Sequence, residues 1–276
     1  MSIRFTAHDH KYTSLQPDGI DWLSATSFIS NFKQPFDADA ISAKAAKNKK
    51  SKWYGMSTED IKAAWKAEAL RATTLGTWYH NCREADLCEF STIERHNKTI
   101  PIIKPIEVDG VKYAPDQKLS DGIYPEHMVY LKSAGLCGQS DLVEVINGVV
   151  HITDYKTNKE IKTEGFKSWD GVKKMAKPLS HLDDCNLNHY TMQLSLYMYM
   201  ILKHNPKLKP GTLILHHIIF EEAGRDKYDN PVTELDSSGN PIVKDVVMYE
   251  VPYLKQEVIS CLHWLEDNRH KLKAKE

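Results

Sequence analysis

The sequence predicts a mixed α/β fold in which a central β-sheet is flanked by helices. Three observations support this prediction. The residue pattern indicates elements in the order helix, strands, helix, strands, helix. Two runs with strand character, GQSDLVEV and VVHITDYK, flank Asn147-Gly148, which is a strong β-hairpin signal. The run NLNHYTMQLSLYMYMILKH at residues 186–204 has the spacing of a long helix.

The first third of the chain is predicted to combine short strands with helices. Residues 1–30 favour a short hairpin or edge strands, followed by a helix from near Thr26. Ser57, with Asp60 three positions later, resembles a capping box, and the next twelve residues from Ile61 have helical periodicity. Gly76 interrupts that pattern, so we expect a second helix or a break in one helix after it.

Strands dominate the middle of the chain and return near its end. Strand signals begin near residue 100 and are clearest in the two runs around Asn147-Gly148. TLILHHIIF predicts a buried strand, VVMYEVP another, and residues 253–273 a closing helix. Residues 159–186 and 221–242 are predicted to be polar loops, the second with a small hairpin around Ser238-Gly239.

Composition bounds the class of protein. A chain of 276 residues with 41% apolar content fits one large domain better than two. It contains no apolar run long enough for a bilayer and no start typical of a secretory signal, so we expect an intracellular, cytoplasmic protein without membrane contact. The five cysteines are scattered and never spaced as CxxC, which favours reduced thiols over disulfides or structural zinc.

The net charge of −1 gives no sign of nucleic-acid binding for the chain as a whole, so any basic surface for nucleic acid must be local. Residues 40–57 hold five lysines and no acid, with Trp53 and Tyr54 directly after the lysines, and residues 156–177 hold seven lysines against three acids. Lysines beside aromatic rings suit a strand whose phosphates need counter-charge and whose bases need a stacking surface. The residues predicted to contact DNA are Lys49, Lys50, Lys52, Trp53, Lys173, Lys174 and His189.

The hairpin predicts two carboxylates in close proximity. A two-residue turn at Asn147-Gly148 places Asp141 opposite Asp154, on the face that also carries apolar side chains. Like charges about 4 Å apart repel by roughly 4 kcal/mol at an effective dielectric of 20, so the pair requires a cation or a shared proton. Lys156 lies on the same face, two residues after Asp154. Two oxygen ligands beside a lysine favour Mg²⁺ or Mn²⁺ and phosphodiester hydrolysis.

These residues resemble the PD-(D/E)XK nucleases, specifically the RecB-type, lambda-exonuclease-like branch. GQSDLVEV followed by ITDYKTNK is similar to the strand pair of that branch. A glycine with a histidine four residues later is matched by Gly76 and His80, and a Gln-x-x-x-Tyr helix motif by Gln193 and Tyr197. The motifs occur in the order found in the family, over residues 76–197.

The resemblance implies a fold and a role for each matched residue. The fold would be a restriction-endonuclease-like core, with residues 1–75 as an N-terminal extension, 76–220 as the catalytic core and 221–276 as a C-terminal strand and helix of a single nuclease domain. The implied metal ligands are His80, Asp141, Asp154 and the backbone carbonyl of Tyr155, with Glu126 as an additional acidic candidate and Glu84 as a second one. Lys156 would be the catalytic lysine, and Gln193 and Tyr197 would orient it or the DNA backbone.

The implied activity is a Mg²⁺- or Mn²⁺-dependent DNA exonuclease that uses one or two ions. The cysteine spacing does not match the iron-sulfur members, so no cluster is expected, and the absence of a GxxxxGK[ST] loop argues against a helicase fusion. By analogy the context is phage or mobile-element recombination or replication, with a DNA end and a single-strand annealing or replication protein as partners. The alternatives are an endonuclease of the same fold, an RNA substrate, and a non-catalytic nucleic-acid-binding protein.

Overall fold

The structure is a computed structural model that describes residues 3–6, 9, 11–95, 97–168 and 171–273. Its helices are α1 (Ala25–Ser30), α2 (Ala38–Lys47), α3 (Thr58–Cys88), α4 (Asn186–His204) and α5 (Lys255–Lys273). Its strands are β1 (Ile3–Thr6), β2 (Lys11–Ser14), β3 (Leu23–Ser24), β4 (Thr92–Arg95), β5 (Lys98–Pro101), β6 (Ile106–Val108), β7 (Val111–Tyr113), β8 (Gly122–Leu131), β9 (Leu136–Ile146), β10 (Val149–Lys156), β11 (Lys167–Ser168), β12 (Gly171–Val172), β13 (Lys209–Phe220), β14 (Glu222–Arg225), β15 (Pro231–Thr233) and β16 (Val243–Val251).

A mixed six-stranded sheet forms the centre of the molecule. Its order is β16-β13-β10-β9, with β8 on the far side of β9 and the short β3 beside the start of β9. Strands β10 and β13 run parallel, as do β3 and β9, whereas the remaining neighbours are antiparallel. The predicted mixed α/β fold, with helices flanking a central sheet, is therefore confirmed.

Helices cover both faces of this sheet. The largest apolar cluster joins α1, α4 and α5 to one face, and the side chains of Val143, Val145, Val150 and Ile152 are fully buried in it. On the other face, Leu75 of α3 packs against Ile218 and Phe220 of β13, and these three form the buried centre of a smaller cluster. The apolar face predicted for the β9–β10 hairpin thus faces the main core.

The β9–β10 hairpin has the predicted turn and register. Asn147 and Gly148 both adopt positive φ, 54° and 73°, as a type I′ turn requires. Cross-strand pairing follows the predicted register from Ile146 with Val149 to Leu142 with Thr153. The backbone ladder ends there, one pair before Asp141 and Asp154. The predicted direct pairing of those two residues in the ladder therefore does not form.

Helix α3 is continuous, so the predicted second helix or break at Gly76 is wrong. The helix spans 31 residues, and its N-terminus is capped as predicted, because the Ser57 side chain accepts a hydrogen bond from the Asp60 backbone N–H. A Cβ atom at position 76 would lie 3.1 Å from Oγ1 of Thr157. The Thr157 hydroxyl also donates to the carbonyl of Ala72 at 2.9 Å. Gly76 therefore permits close packing of α3 against the segment after β10.

The peripheral segments agree with most predictions. Strands β1 and β2 form the predicted early hairpin, which continues into a four-stranded sheet with β7 and β6. Helix α1 begins at Ala25, after the capping residue Ser24 and one position before the predicted start. A bridge between Leu235 and Pro241 encloses the predicted Ser238-Gly239 turn. Among the described helices, none is both long and apolar enough to cross a membrane.

Candidate active site

Three separate elements bring a histidine and two carboxylates together. His80 lies on α3, Glu126 on β8 and Asp141 on β9. The Nδ1 atom of His80 is 3.3 Å from Oε1 of Glu126 and 3.4 Å from Oδ1 of Asp141. One ligand atom from each of the three residues lies within 4.8 Å of the other two. This spacing is compatible with three side chains that share one bound cation.

The backbone of Tyr155 adds a fourth polar atom to this group. Its carbonyl oxygen is 3.3 Å from Nε2 of His80. Its N–H donates to Oδ2 of Asp141 at 2.6 Å. The Asp141 carboxylate thus reaches across the open end of the β9–β10 ladder and satisfies the first backbone donor beyond it. The structure places His80, Asp141 and the Tyr155 carbonyl together, as expected from the resemblance.

Glu126 reaches the cluster through an unusual backbone conformation. Its φ is 46°, in the left-handed region that a non-glycine residue rarely adopts. The pairs on either side, Pro125 with Leu142 and His127 with Ser140, put Glu126 across from Asp141. Gln139 donates to Oε2 of Glu126 at 2.5 Å. Strained backbone is common at functional sites, where the surrounding structure holds it in place.

Asp154 and Lys156 form a buried ion pair next to this cluster. Oδ2 of Asp154 contacts Nζ of Lys156, and the Asp154 side chain is only 1% exposed. Apart from that ion pair, neither carboxylate oxygen has a hydrogen-bond partner among the described residues. Nζ of Lys156 also lies 4.9 Å from the ring centroid of Tyr190 on α4. A buried carboxylate with unused acceptor capacity is costly unless a cation balances it.

The described side chains bring the expected ligands together only in part. Asp154 does not belong to the group of ligand atoms formed by His80, Glu126 and Asp141. The physical reason is that the two aspartates have different partners: Asp141 binds the Tyr155 N–H, whereas Asp154 binds Lys156. Glu126, expected only as an additional candidate, occupies the position beside His80.

The charges of the site perturb the pKa values of its members. Burial, and then the negative charge of Asp154, raise the pKa of Asp141 to about 8. Burial alone would lower the pKa of His80, but the hydrogen bond to Glu126 and the charge of Asp141 outweigh it and raise the pKa to about 9. For Lys156, burial is likewise outweighed by the carboxylates of Asp154 and Asp141, so its pKa is raised. The site therefore favours bound positive charge.

Gln193 and Tyr197 contact each other on α4. The Gln193 side chain donates to Oη of Tyr197 at 3.1 Å, and Tyr197 is 3% exposed. The resemblance implies that these two residues orient Lys156 or the DNA backbone. Within the part of the chain that the structure describes, neither side chain hydrogen bonds to Lys156. The residue of α4 that contacts Lys156 is Tyr190, whose hydroxyl donates to Oδ1 of Asn158 at 2.7 Å.

Sequence reasoning did not identify Tyr190 or Gln139. Tyr190 is three residues before Gln193, so helical spacing puts it on the same stripe of α4. Gln139 is two residues before Asp141, which puts it on the same face of β9. Helix and strand periodicity could therefore have identified both residues.

The residues predicted to contact DNA fall into two groups. Lys173 and His189 both bind Asp184, at 3.5 and 2.7 Å, and Lys174 binds Asp183 at 2.6 Å. Acids just beyond the second lysine stretch therefore pair with two of its seven lysines. By contrast, Lys49 and Lys50 are exposed, and Lys52 is 3.7 Å from Asp229 and lies over the ring of Trp53.

Similarity to known proteins gives no independent assignment, because comparisons of the chain with family models, curated proteins and solved structures gave no match. Function is therefore inferred from the donor set itself. The donor set consists of an imidazole nitrogen, two carboxylates and a peptide carbonyl, beside a buried carboxylate with unused acceptor capacity. Oxygen-rich sets suit Mg²⁺ and Mn²⁺, and the imidazole is tolerated by Mn²⁺ and other transition metals. These residues fit a divalent cation.

Proposed function

We propose that this chain is a Mg²⁺- or Mn²⁺-dependent nuclease that hydrolyses phosphodiester bonds in DNA, with a PD-(D/E)XK core. The observation that carries the proposal is the convergence of His80, Glu126 and Asp141 next to the buried Asp154–Lys156 ion pair. Acidic residues and a lysine in such proximity match the requirements of metal-assisted phosphate chemistry better than those of a structural salt-bridge network.

The order of elements supports the PD-(D/E)XK assignment. Three adjacent strands of the central sheet carry the acids: β8 carries Glu126, β9 carries Asp141, and β10 carries Asp154 and Lys156. Helices α3 and α4 lie against opposite faces of this sheet and contribute His80 and the Gln193–Tyr197 pair. The motifs quoted from the sequence thus come from elements that meet at one region of the fold.

The side chains can be given roles from their environments. His80, Glu126, Asp141 and the Tyr155 carbonyl would hold the cation, with Asp154 next to them. A bound divalent cation would offset the charge of the scissile phosphate and acidify a water molecule. Because its pKa is raised, Lys156 is an ammonium at neutral pH, and it is suited to stabilise developing negative charge rather than to accept a proton.

The choice of an exonuclease over an endonuclease is proposed from the resemblance. We favour an exonuclease of the RecB-type branch, acting on a DNA end in phage or mobile-element recombination or replication. A single-strand annealing or replication protein would be its partner, in the cytoplasm. The endonuclease alternative uses the same site, and the substrates of the next experiment separate the two.

The experiment incubates the protein with DNA and RNA oligonucleotides labelled at either end, single- or double-stranded, and with a covalently closed single-stranded circle. We expect metal-dependent release of labelled nucleotides from linear DNA, no cleavage of the circle, and no reaction in EDTA. Cleavage of the circle would contradict the exonuclease assignment while retaining the nuclease. A protein that cleaves none of these substrates with either metal would contradict the proposed function.

A further inference from the structure

A group of aromatic side chains, two of them exposed, lies at the junction of α2 and α3, away from the candidate active site. Trp65 of α3 meets Phe36 and Trp53 edge to face, with ring centroids 5.5 and 6.4 Å apart. Phe36 is 64% exposed and Tyr54 is 52% exposed. We call these four residues the aromatic corner. Exposed rings of this size, grouped on one surface, are typical of a binding site.

The segment that carries Trp53 and Tyr54 is rich in lysines. Nζ of Lys52 lies 4.3 Å from the ring centroid of Trp53 and 3.7 Å from Oδ2 of Asp229. Four more lysines of this segment are exposed and form no salt bridge within the described residues; they are Lys44, Lys47, Lys49 and Lys50. Asp37 caps α2 and Asp39 binds Lys62 at 2.7 Å. The excess of exposed lysines in this segment favours an anionic occupant.

The combination favours a single strand over a duplex. In a duplex the bases stack on one another and only the phosphates are presented, so exposed rings would have no partner. In a single strand the bases are free to stack on aromatic faces while the phosphates meet lysines. Phe36 and Trp53 each meet Trp65 edge to face, so neither ring is stacked face to face on it.

Helix α3 connects the aromatic corner to the candidate active site. Trp65 and His80 are fifteen residues apart on this one continuous helix, which corresponds to about 22 Å of helix rise and just over four turns. Their side chains therefore project within about 60° of each other around the helix axis. A strand of several nucleotides is long enough to contact both, since single-strand sites commonly span about 4 to 16 nucleotides.

We infer that the aromatic corner binds single-stranded nucleic acid by base stacking on Phe36 and Trp53 and by phosphate contacts with Lys49 and Lys50. The inference deepens the proposed function, on which it rests, by naming single-stranded nucleic acid as the form of the substrate held beside the site. Binding at the corner requires no metal, so it can be measured separately from cleavage.

The test measures binding of a fluorescently labelled fifteen-nucleotide oligo(dT) to the full chain in EDTA, by anisotropy, with a hairpin duplex as competitor. Phe36→Ala is expected to raise the dissociation constant about fivefold or more. The matched control Phe90→Ala removes a ring that is 60% exposed beyond the C-terminal end of α3 and should leave it unchanged. Equal binding by both variants would overturn the inference, as would tighter binding of the duplex.

A second pair of variants keeps the test independent of ring packing. Lys49→Gln with Lys50→Gln is expected to reduce the slope of log affinity against log salt by about 1.4, whereas Lys255→Gln with Lys271→Gln on α5 should not change it. An unchanged slope in the first pair would overturn the phosphate contacts. If the wild type binds oligo(dT) as expected but cleaves no substrate, only the proposed function is contradicted. If the wild type cleaves DNA but the substitutions do not change binding, only this inference is contradicted.

Discussion

At the scale of single residues, the candidate site is organised around the backbone of Tyr155. The N–H of Tyr155 binds Asp141, and its carbonyl faces His80, so this one residue of β10 links the neighbouring strand β9 to helix α3. Glu126 completes the group by adopting a positive φ. Burial, and then the charge of Asp154, raise the pKa of Asp141, and a bound divalent cation would counteract both effects by stabilising the ionised carboxylate.

His127, adjacent to Glu126, gives a prediction about stability and pH. Burial lowers its pKa to about 4, below the ordinary value of 6.5 expected for the unfolded chain. As the pH falls from 6.5 to 4, the unfolded chain binds a proton that the folded protein excludes, so the free energy of unfolding decreases. The loss approaches about 3 kcal/mol at pH 4.

The measurement compares urea unfolding of the wild type and His127→Phe between pH 7.5 and 4. We expect the two stability curves to diverge progressively below pH 6.5, with the wild type losing more stability. Parallel curves over this range would mean that His127 does not exclude a proton in the folded state.

At the scale of elements, the sequence predicted local structure well where local chemistry determines it. The turn at Asn147-Gly148 fixed the register of β9 and β10, because few residue pairs tolerate positive φ at both positions. The cap at Ser57 was equally visible. Gly76 was misinterpreted, because its role depends on Thr157, which is distant in sequence and approaches it only in the folded chain.

A second glycine, Gly138, determines how closely α4 packs against β9. A Cβ atom at this position would lie 2.6 Å from Cε1 of Tyr197. Gly138→Ala should therefore displace the Tyr197 ring and reduce the free energy of unfolding by about 1 to 3 kcal/mol. Gly224→Ala is the matched control, since a Cβ there meets no described atom within 4 Å, and its effect should be about 0.5 kcal/mol or less. Similar unfolding midpoints for the two variants would contradict this packing account.

At the scale of the whole molecule, the mixed sheet and its flanking helices were predictable from the order of elements. What could not be predicted is which distant side chains share a partner. Asp183 and Asp184 pair with Lys174 and Lys173, so the second lysine stretch is less basic than its composition indicated. The position of Glu126 depends on a backbone conformation that no residue pattern reports. Both features arise from long-range packing.

The central claim is that His80, Glu126 and Asp141 hold the divalent cation of a nuclease. Its most direct test is the rate at which Asp141→Asn degrades end-labelled linear DNA with Mg²⁺ or Mn²⁺, relative to wild type. Glu84→Gln is the control, because Glu84 is a neighbouring acid of α3 that binds Lys112 at 2.8 Å instead of the cluster. We predict at least a hundredfold loss for Asp141→Asn, about 2.7 kcal/mol of transition-state stabilisation, and little change for Glu84→Gln. Metal-dependent degradation by Asp141→Asn at the wild-type rate would contradict the claim.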